Sequence, residues 1–318
     1  DELRPLADAG VFGFKAFMID SGVPEFAAVG ERDLRTAMSV IANTGLPLLV
    51  HAETDAAPVP APGPPNRYAS WLASRPRRWE NHAISVAIRL GEELGCPVHI
   101  VHLSSSDALV LLRRARARGT AVTVETCPHY LYFAAEDIAD GDTLLKCAPP
   151  IREHETRERL WEALHGGLID MVVSDHSPSP PEMKELSSGN FLKAWGGISS
   201  LQLGLSAVWT EVRARGAAIE DVSRWMSAAP SRLVGLYGRK GVIRPGADAD
   251  LVVFDPDASF QVEASTLRNR HALSPYVGRE LWGQVKMTFV RGHRVVRDDG
   301  AAADPRGRVL TRRSLDGS

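Results

Sequence analysis

Four short apolar runs in this sequence each carry, or stop at, a residue able to bind a metal or move a proton. Residues 12–18 (FGFKAFM) hold Lys15 in their middle, and residues 46–50 run straight into His51. Residues 96–101 run into His102, and residues 171–173 are followed two positions later by Asp175. Runs this short, β-branched and bounded by turn formers read as buried parallel strands. Amphipathic stretches of helical period lie between them, at 31–44, 79–95, 106–118 and 153–164. Strands alternating with helices predict an α/β fold with a parallel sheet. In a (β/α)8 barrel, strand ends converge on one face and build the active site from several strands. An aspartate at the mouth of an apolar strand needs a charged partner or a metal, because carboxylates are rarely buried alone. Two imidazoles, a carboxylate and a lysine gathered on one face therefore mark a candidate metal site.

Residues 121–130 form a further strand and its exit loop, with Glu125 near the end. That makes five barrel-type strands where a barrel needs eight. Either the sheet is open, or the chain begins partway round a barrel. Residues 201–215 predict a helix, and 219–236 a helix in two pieces. From residue 241 the texture changes to short strands with glycine turns, at 241–255 and 283–296, the pattern of a small β domain. The expected division is 1–240 for the barrel part, 241–300 for part of the small β domain, and 301–318 for a polar, frayed C-terminal tail. The turn-rich segment 20–26 is placed to cover a site, and the proline-dense segment 56–66 reads as a mobile loop.

A net charge of −2 with no long run of one sign points away from nucleic-acid and membrane-surface partners. The cluster Arg113, Arg114, Arg116 and Arg118 ends a helix, where basic side chains favour the negative dipole end and stay solvated. No apolar run approaches the roughly 18 residues of a membrane span, and no leader-like segment opens the chain. Cys96, Cys127 and Cys147 are odd in number and far apart, which suits a reducing cytoplasm without a disulfide framework. Ser104 to Ser106 lack a Gly-x-Ser-x-Gly elbow and read as a loop and helix cap. His129 and His176 either reach the site's mouth or tie loops together, and His82, His154, His165, His271 and His293 read as structural or surface groups.

The ordered set GFK (13–15), LVHAE (49–53), HIVHLS (99–104), ETCPHY (125–130) and SDHSP (174–178) resembles the cyclic amidohydrolases. These are metal-dependent enzymes that include dihydroorotases, hydantoinases and allantoinases. GFKAFMIDSGVPEF (13–26), KCAPPIR (146–152), SDHSPSPPEMK (174–184) and KAWGGISSLQ (193–202) are similar to the allantoinase branch, and the resemblance runs from about residue 10 to about residue 296. It implies a (β/α)8 TIM-type barrel, here strands four to eight, beside a small β-sandwich. Lys15 on strand four would be a carbamate, formed with carbon dioxide, that bridges two divalent ions, most simply zinc. His51 and His102 on strands five and six would complete one ion's ligands. Asp175 on strand eight would bind the other ion and act as general base, leaving Glu125 on strand seven. A carbamate calls for a lysine whose pKa is lowered, as burial does; the plain alternative is a lysine reaching out from an edge strand. The family's first strand carries a His-x-His pair, and none occurs in these 318 residues, so the chain resembles a member lacking about its first third.

Substrate contacts are expected from backbone groups of Cys147, Ala148, Gly196, Gly197 and Ile198, which suit a ureide ring, and from Ser21 and Asp20 in the loop after the lysine strand. The implied reaction is hydrolysis of allantoin to allantoate in purine breakdown, by a cytoplasmic homo-oligomer, commonly a tetramer in the family. The rivals are a hydantoinase or dihydropyrimidinase acting on another cyclic ureide, and a non-catalytic scaffold of the same superfamily.

Overall fold

The computed structural model describes residues 2–55, 57–59, 63–296 and 307–312. Five strands pair in parallel and in chain order: β1 (Phe14–Phe17), β2 (Leu48–His51), β3 (Val98–Ile100), β4 (Val122–Thr126) and β5 (Met171–Val172). Phe17 lies opposite His51, Val50 opposite Ile100, Ile100 opposite Val124, and Thr126 opposite Val172. The register therefore brings the carboxyl ends of the strands to one edge. β2, β3 and β4 are buried nearly throughout, as expected of strands covered on both faces.

Among the described residues, ten α-helices connect and cover the strands: α1 (Leu3–Ala9), α2 (Glu31–Ile41), α3 (Tyr68–Ser74), α4 (Arg77–Leu94), α5 (Leu109–Ala117), α6 (Pro128–Tyr132), α7 (His154–His165), α8 (Gly204–Ala214), α9 (Ile219–Ser223) and α10 (Ala229–Leu233). α2 buries Leu34, Met38 and Ile41, and α4 buries Ala83, Ile84, Ala87, Ile88 and Leu90; both sets recur at three- and four-residue spacing, so one stripe of each helix faces the sheet. Gly91 lets α4 approach β3 closely, since a Cβ there would stand 2.9 Å from Val98 Cγ2.

Several elements differ from the sequence expectation. α3 and α6 were not foreseen: one follows a proline-rich stretch, and the other is a single short turn opened by Pro128, whose fixed φ suits a first helical position. Residues 219–233 run as one helical stretch, with a π-helical turn (Arg224–Ala228) joining α9 to α10. The segment leading into the KCAPPIR motif is a 3-10 turn, Thr143–Leu145.

The second sheet is antiparallel, β6 (Leu251–Gln261), β7 (Glu280–Val290) and β8 (His293–Val296), in chain order. Its first strand starts at Leu251 rather than 241. It is bound to α8: Ser206 Oγ donates to the Gly283 carbonyl (2.6 Å), Trp282 N–H donates to Thr210 Oγ1 (2.8 Å), and Trp209 Nε1 donates to the Pro256 carbonyl (2.9 Å). Gly283 has φ +86°, and a Cβ there would run into Phe254 and Trp209.

Two segments expected to be loose are tied down where they are described. Trp79 Nε1 donates to the Ala57 carbonyl (2.8 Å), and the Gly141 and Phe191 amides donate to Asn66 and Pro65 (2.7 and 2.8 Å). At the other end, Arg312 donates from its backbone to Gly10, from Nε to Val11 and from Nη2 to Ala7, capping the carbonyl end of α1. Of the expected tail, 301–306 and 313–318 lie outside the described residues, as do 297–300 of the expected small β domain.

Candidate metal centre

Lys15, His51, His102 and Asp175 line one cavity of about 640 Å³ at the carboxyl ends of the strands. Lys15 sits within β1 and His51 closes β2; His102 and Asp175 lie just past β3 and β5. Both His102 and Asp175 hold left-handed backbone, φ +41° and +42°. Residues other than glycine rarely adopt it, and such strain clusters at functional sites.

The imidazoles of His51 and His102 meet edge to face, with centroids 4.5 Å apart. His51 Nε2 lies 3.0 Å from Glu53 Oε2, which also accepts from Arg75 Nη1 at 2.7 Å. Glu53 is fully buried. Burial alone would raise its pKa, but the Arg75 guanidinium and the His51 hydrogen bond bring it down to about 2. Burial, then the neighbouring His51, push His102 below the ordinary histidine range, and its Nδ1 is buried without a partner. Burial works to raise Asp175, yet His102, His129, Lys15 and His51 together hold it below the ordinary carboxylate value. The turn carrying His102 is fixed by Glu80, whose Oε1 accepts the Ser104 and Ser105 amides at 2.8 and 3.0 Å.

Lys15 departs from expectation: it is exposed, with Nζ 4.9 Å from the Phe17 ring centroid. The cause is its position on β1, which pairs on one side only within the sheet. Glu125 belongs to a different pair: it accepts from His99 Nε2 at 2.9 Å, and His99 Nδ1 meets Thr123 Oγ1 at 2.8 Å. His129 is fully buried with neither ring nitrogen partnered, and burial lowers its pKa to about 4. His176 is a loop tie: its Nδ1 accepts the Ser200 and Leu201 amides, both at 3.0 Å.

Cys147, Ala148, Gly196, Gly197 and Ser21 all line the cavity. Several of their polar groups are already engaged. The Cys147 carbonyl accepts from Trp71 Nε1 (3.1 Å), its thiol is pushed up to about 12 by burial, and Ser21 Oγ is directed at the Val23 and Phe26 carbonyls (3.0 and 2.7 Å). Ile198 is absent from the lining: its side chain is in the core and its carbonyl accepts the Ser177 amide at 3.0 Å.

Two lysines hold this wall. Lys184 Nζ donates to the carbonyls of Gly197 (2.5 Å), Trp195 (3.1 Å) and Lys146 (3.4 Å). Lys146 Nζ donates to the Ala194 carbonyl and stands 4.2 Å above the Trp71 ring. Nothing in the sequence alone assigns Glu53, Trp71, Arg75, Lys146 or Lys184 a role. Lys146 and Lys184 lay inside the quoted motifs, and Glu53 follows His51 by two, so the signal was present without a partner to interpret it.

The donor chemistry fits a divalent ion on one condition. Among the described residues, no three His, Cys, Asp or Glu side chains are placed to hold an ion by themselves. The fit lies in His102, which leaves a buried nitrogen unpartnered, and in His51, whose other nitrogen is turned to a carboxylate as metal-binding histidines usually are. An anionic Lys15 is needed to complete the set; an ammonium has no lone pair to give.

Comparison with known proteins agrees with this architecture. The profile of the amidohydrolase family matches residues 82–295. A solved L-hydantoinase (dihydropyrimidinase) from Arthrobacter aurescens superposes with a TM-score of 0.87 at 34% identity, over 95% of this chain and 68% of that one. The chain belongs to the amidohydrolase family. Within it the similarity is to allantoinases: 50% identity to that of Streptomyces avermitilis over 98% of this chain and 69% of the relative, and 46% to that of Arabidopsis thaliana over 96% and 63%. The chain thus spans about two thirds of the length of these relatives.

Proposed function

We propose that this chain carries the ring-opening site of an allantoinase, hydrolysing the cyclic amide of allantoin to allantoate. The observation that supports it most is the arrival of Lys15, His51, His102 and Asp175 from four strands of one parallel sheet at a single cavity. In this reading Lys15, as a carbamate made with carbon dioxide, and the imidazoles of His51 and His102 would hold one zinc ion. Such an ion supplies Lewis acidity toward the ring carbonyl and toward water. Asp175 is the general base: it accepts a proton from water as the oxygen bonds to the carbonyl carbon, then gives it to the ring nitrogen as the C–N bond breaks. Its low pKa keeps it ionised for the first transfer. Ala148 and Gly196 offer backbone groups to the ureide, and Ser21 lines the same cavity.

The division at about residue 240, with 241–300 a separate small β unit, belongs to the same reading. So do a cytoplasmic location and a tetrameric assembly. No helix of the described residues is long and apolar enough to cross a membrane.

Zinc per chain, measured after purification with zinc and bicarbonate, tests the centre. One ion, lost in Lys15→Ala, is the expected result; zinc retained by that variant would sink the carbamate assignment, and no zinc in the parent chain would favour a scaffold. Turnover of allantoin, hydantoin, dihydrouracil and dihydroorotate separates the ring-opening rivals.

A further inference from the structure

We propose that Glu53 and Arg75 are positioning residues that hold His51 in one tautomer, with its proton on Nε2 and the Nδ1 lone pair left for a divalent cation. The ligand role of His51 rests on the function proposed above; the tautomer does not.

One carboxylate oxygen fixes the arrangement. Glu53 Oε2 lies 3.0 Å from His51 Nε2 and 2.7 Å from Arg75 Nη1. An ion-paired carboxylate only accepts, so the imidazole nitrogen facing it must donate. In a neutral ring, that leaves Nδ1 as the lone-pair nitrogen. Both the His51 and Glu53 side chains are shielded from water, so no solvent competes for the contact. Arg75 in turn is anchored: its cation lies 5.2 Å from the Trp71 ring centroid, and its backbone carbonyl accepts from Arg152 Nη1 at 2.8 Å.

The same chain of charges reaches the second histidine. Arg152 Nη2 approaches Glu80 Oε2 at 3.5 Å, and the other oxygen of Glu80 holds the Ser104 and Ser105 amides just beyond His102. His51 and the turn bearing His102 are thus the two ends of one frame, Glu53–Arg75–Arg152–Glu80. A frame that merely held loops together would have no need to direct its first carboxylate at the ring nitrogen of a cavity residue.

The test uses the full chain, free of metal and labelled with ¹⁵N-histidine, with the His51 resonances assigned by their loss in His51→Gln. Ring ¹⁵N shifts report the tautomer, and a parallel zinc titration with bicarbonate reports affinity. In the parent, His51 is expected as the Nε2–H form. In Glu53→Gln the amide can turn its NH₂ toward Nε2, so a mixture or the Nδ1–H form is expected, with zinc binding weakened about 10- to 100-fold. An Nδ1–H ring in the parent overturns the proposal, as does a Glu53→Gln protein with tautomer and affinity both unchanged. Should Glu53→Gln fail to fold, Arg75→Met reads the same tautomer and must disturb it. If the parent shows Nε2–H and the variant scrambles it while neither binds zinc, the positioning stands and the metal reading falls.

Discussion

Lys184→Met is a sharp perturbation of the cavity wall, because it replaces an ammonium by a side chain of similar length with nothing to donate. Lys184 is 4% exposed, and its three hydrogen bonds all go to backbone carbonyls. Burial lowers its pKa from 10.5 to about 8, which sets the cost of keeping it charged at about 3 kcal/mol. Against that, the variant strips the Trp195 and Gly197 carbonyls of their donor, at about 1–3 kcal/mol each. These terms are of similar size, so the informative quantity is the pH slope. Below pH 8 the lysine is protonated in folded and unfolded chains alike and the cost is present in full. From pH 8 to 10.5 the folded state loses its proton first and the cost fades, so this group makes the parent more stable as pH rises. The methionine variant has no such proton. Its stability relative to the parent should therefore fall by about 2 kcal/mol between pH 7 and 9.5. Buried tyrosines titrate in both proteins and cancel in the difference, while Lys146, which the Lys184 charge helps to lower, acts in the same direction as Lys184. Urea unfolding at the two pH values measures it. A difference that stays within about 0.5 kcal/mol across that range would refute the claim that a charged, desolvated lysine clamps residues 195–197.

Two further outcomes follow from named contacts. Gly283→Ala should cost about 2–5 kcal/mol in denaturant unfolding, the sum of a left-handed backbone penalty and overpacking against Phe254 and Trp209; a loss under 1 kcal/mol would mean the second sheet is not seated on α8 as described. Asp175→Asn should keep the zinc bound by the parent and lower ring hydrolysis about 10²- to 10⁴-fold, and a variant as active as the parent would remove Asp175 from the general-base role.

The strands were legible because each is a short apolar run that stops at a chemically conspicuous residue, and two consecutive strands of a parallel sheet cannot bury such runs without helices between them. That reasoning located His51, His102 and Asp175 without any partner being known. It did not reach Glu53, Arg75 or Glu80, because a buried charge is interpretable only through its partner. Arg75 lies 22 residues from Glu53 in the chain. Lys184 and Lys146 escaped for a related reason: their partners are carbonyls, which every residue carries and no sequence distinguishes. Lys15 is exposed on β1, and whether a strand is central or at an edge depends on pairings that its own residues do not encode. Ile198 is not a cavity residue: its backbone bridges to His176 and its side chain lies in the core, a pairing its own residues do not encode.

The cap that Arg312 places on α1 spans 305 residues to Ala7. During synthesis at about 5–20 residues per second, α1 emerges roughly 15–60 s before the side chain that reaches its Ala7 carbonyl. α1 must therefore wait without that contact while β1 to β8 are made. Docking of α1 is thus a late event in the making of the fold, which leaves that helix open to proteases and chaperones on a stalled or interrupted polypeptide.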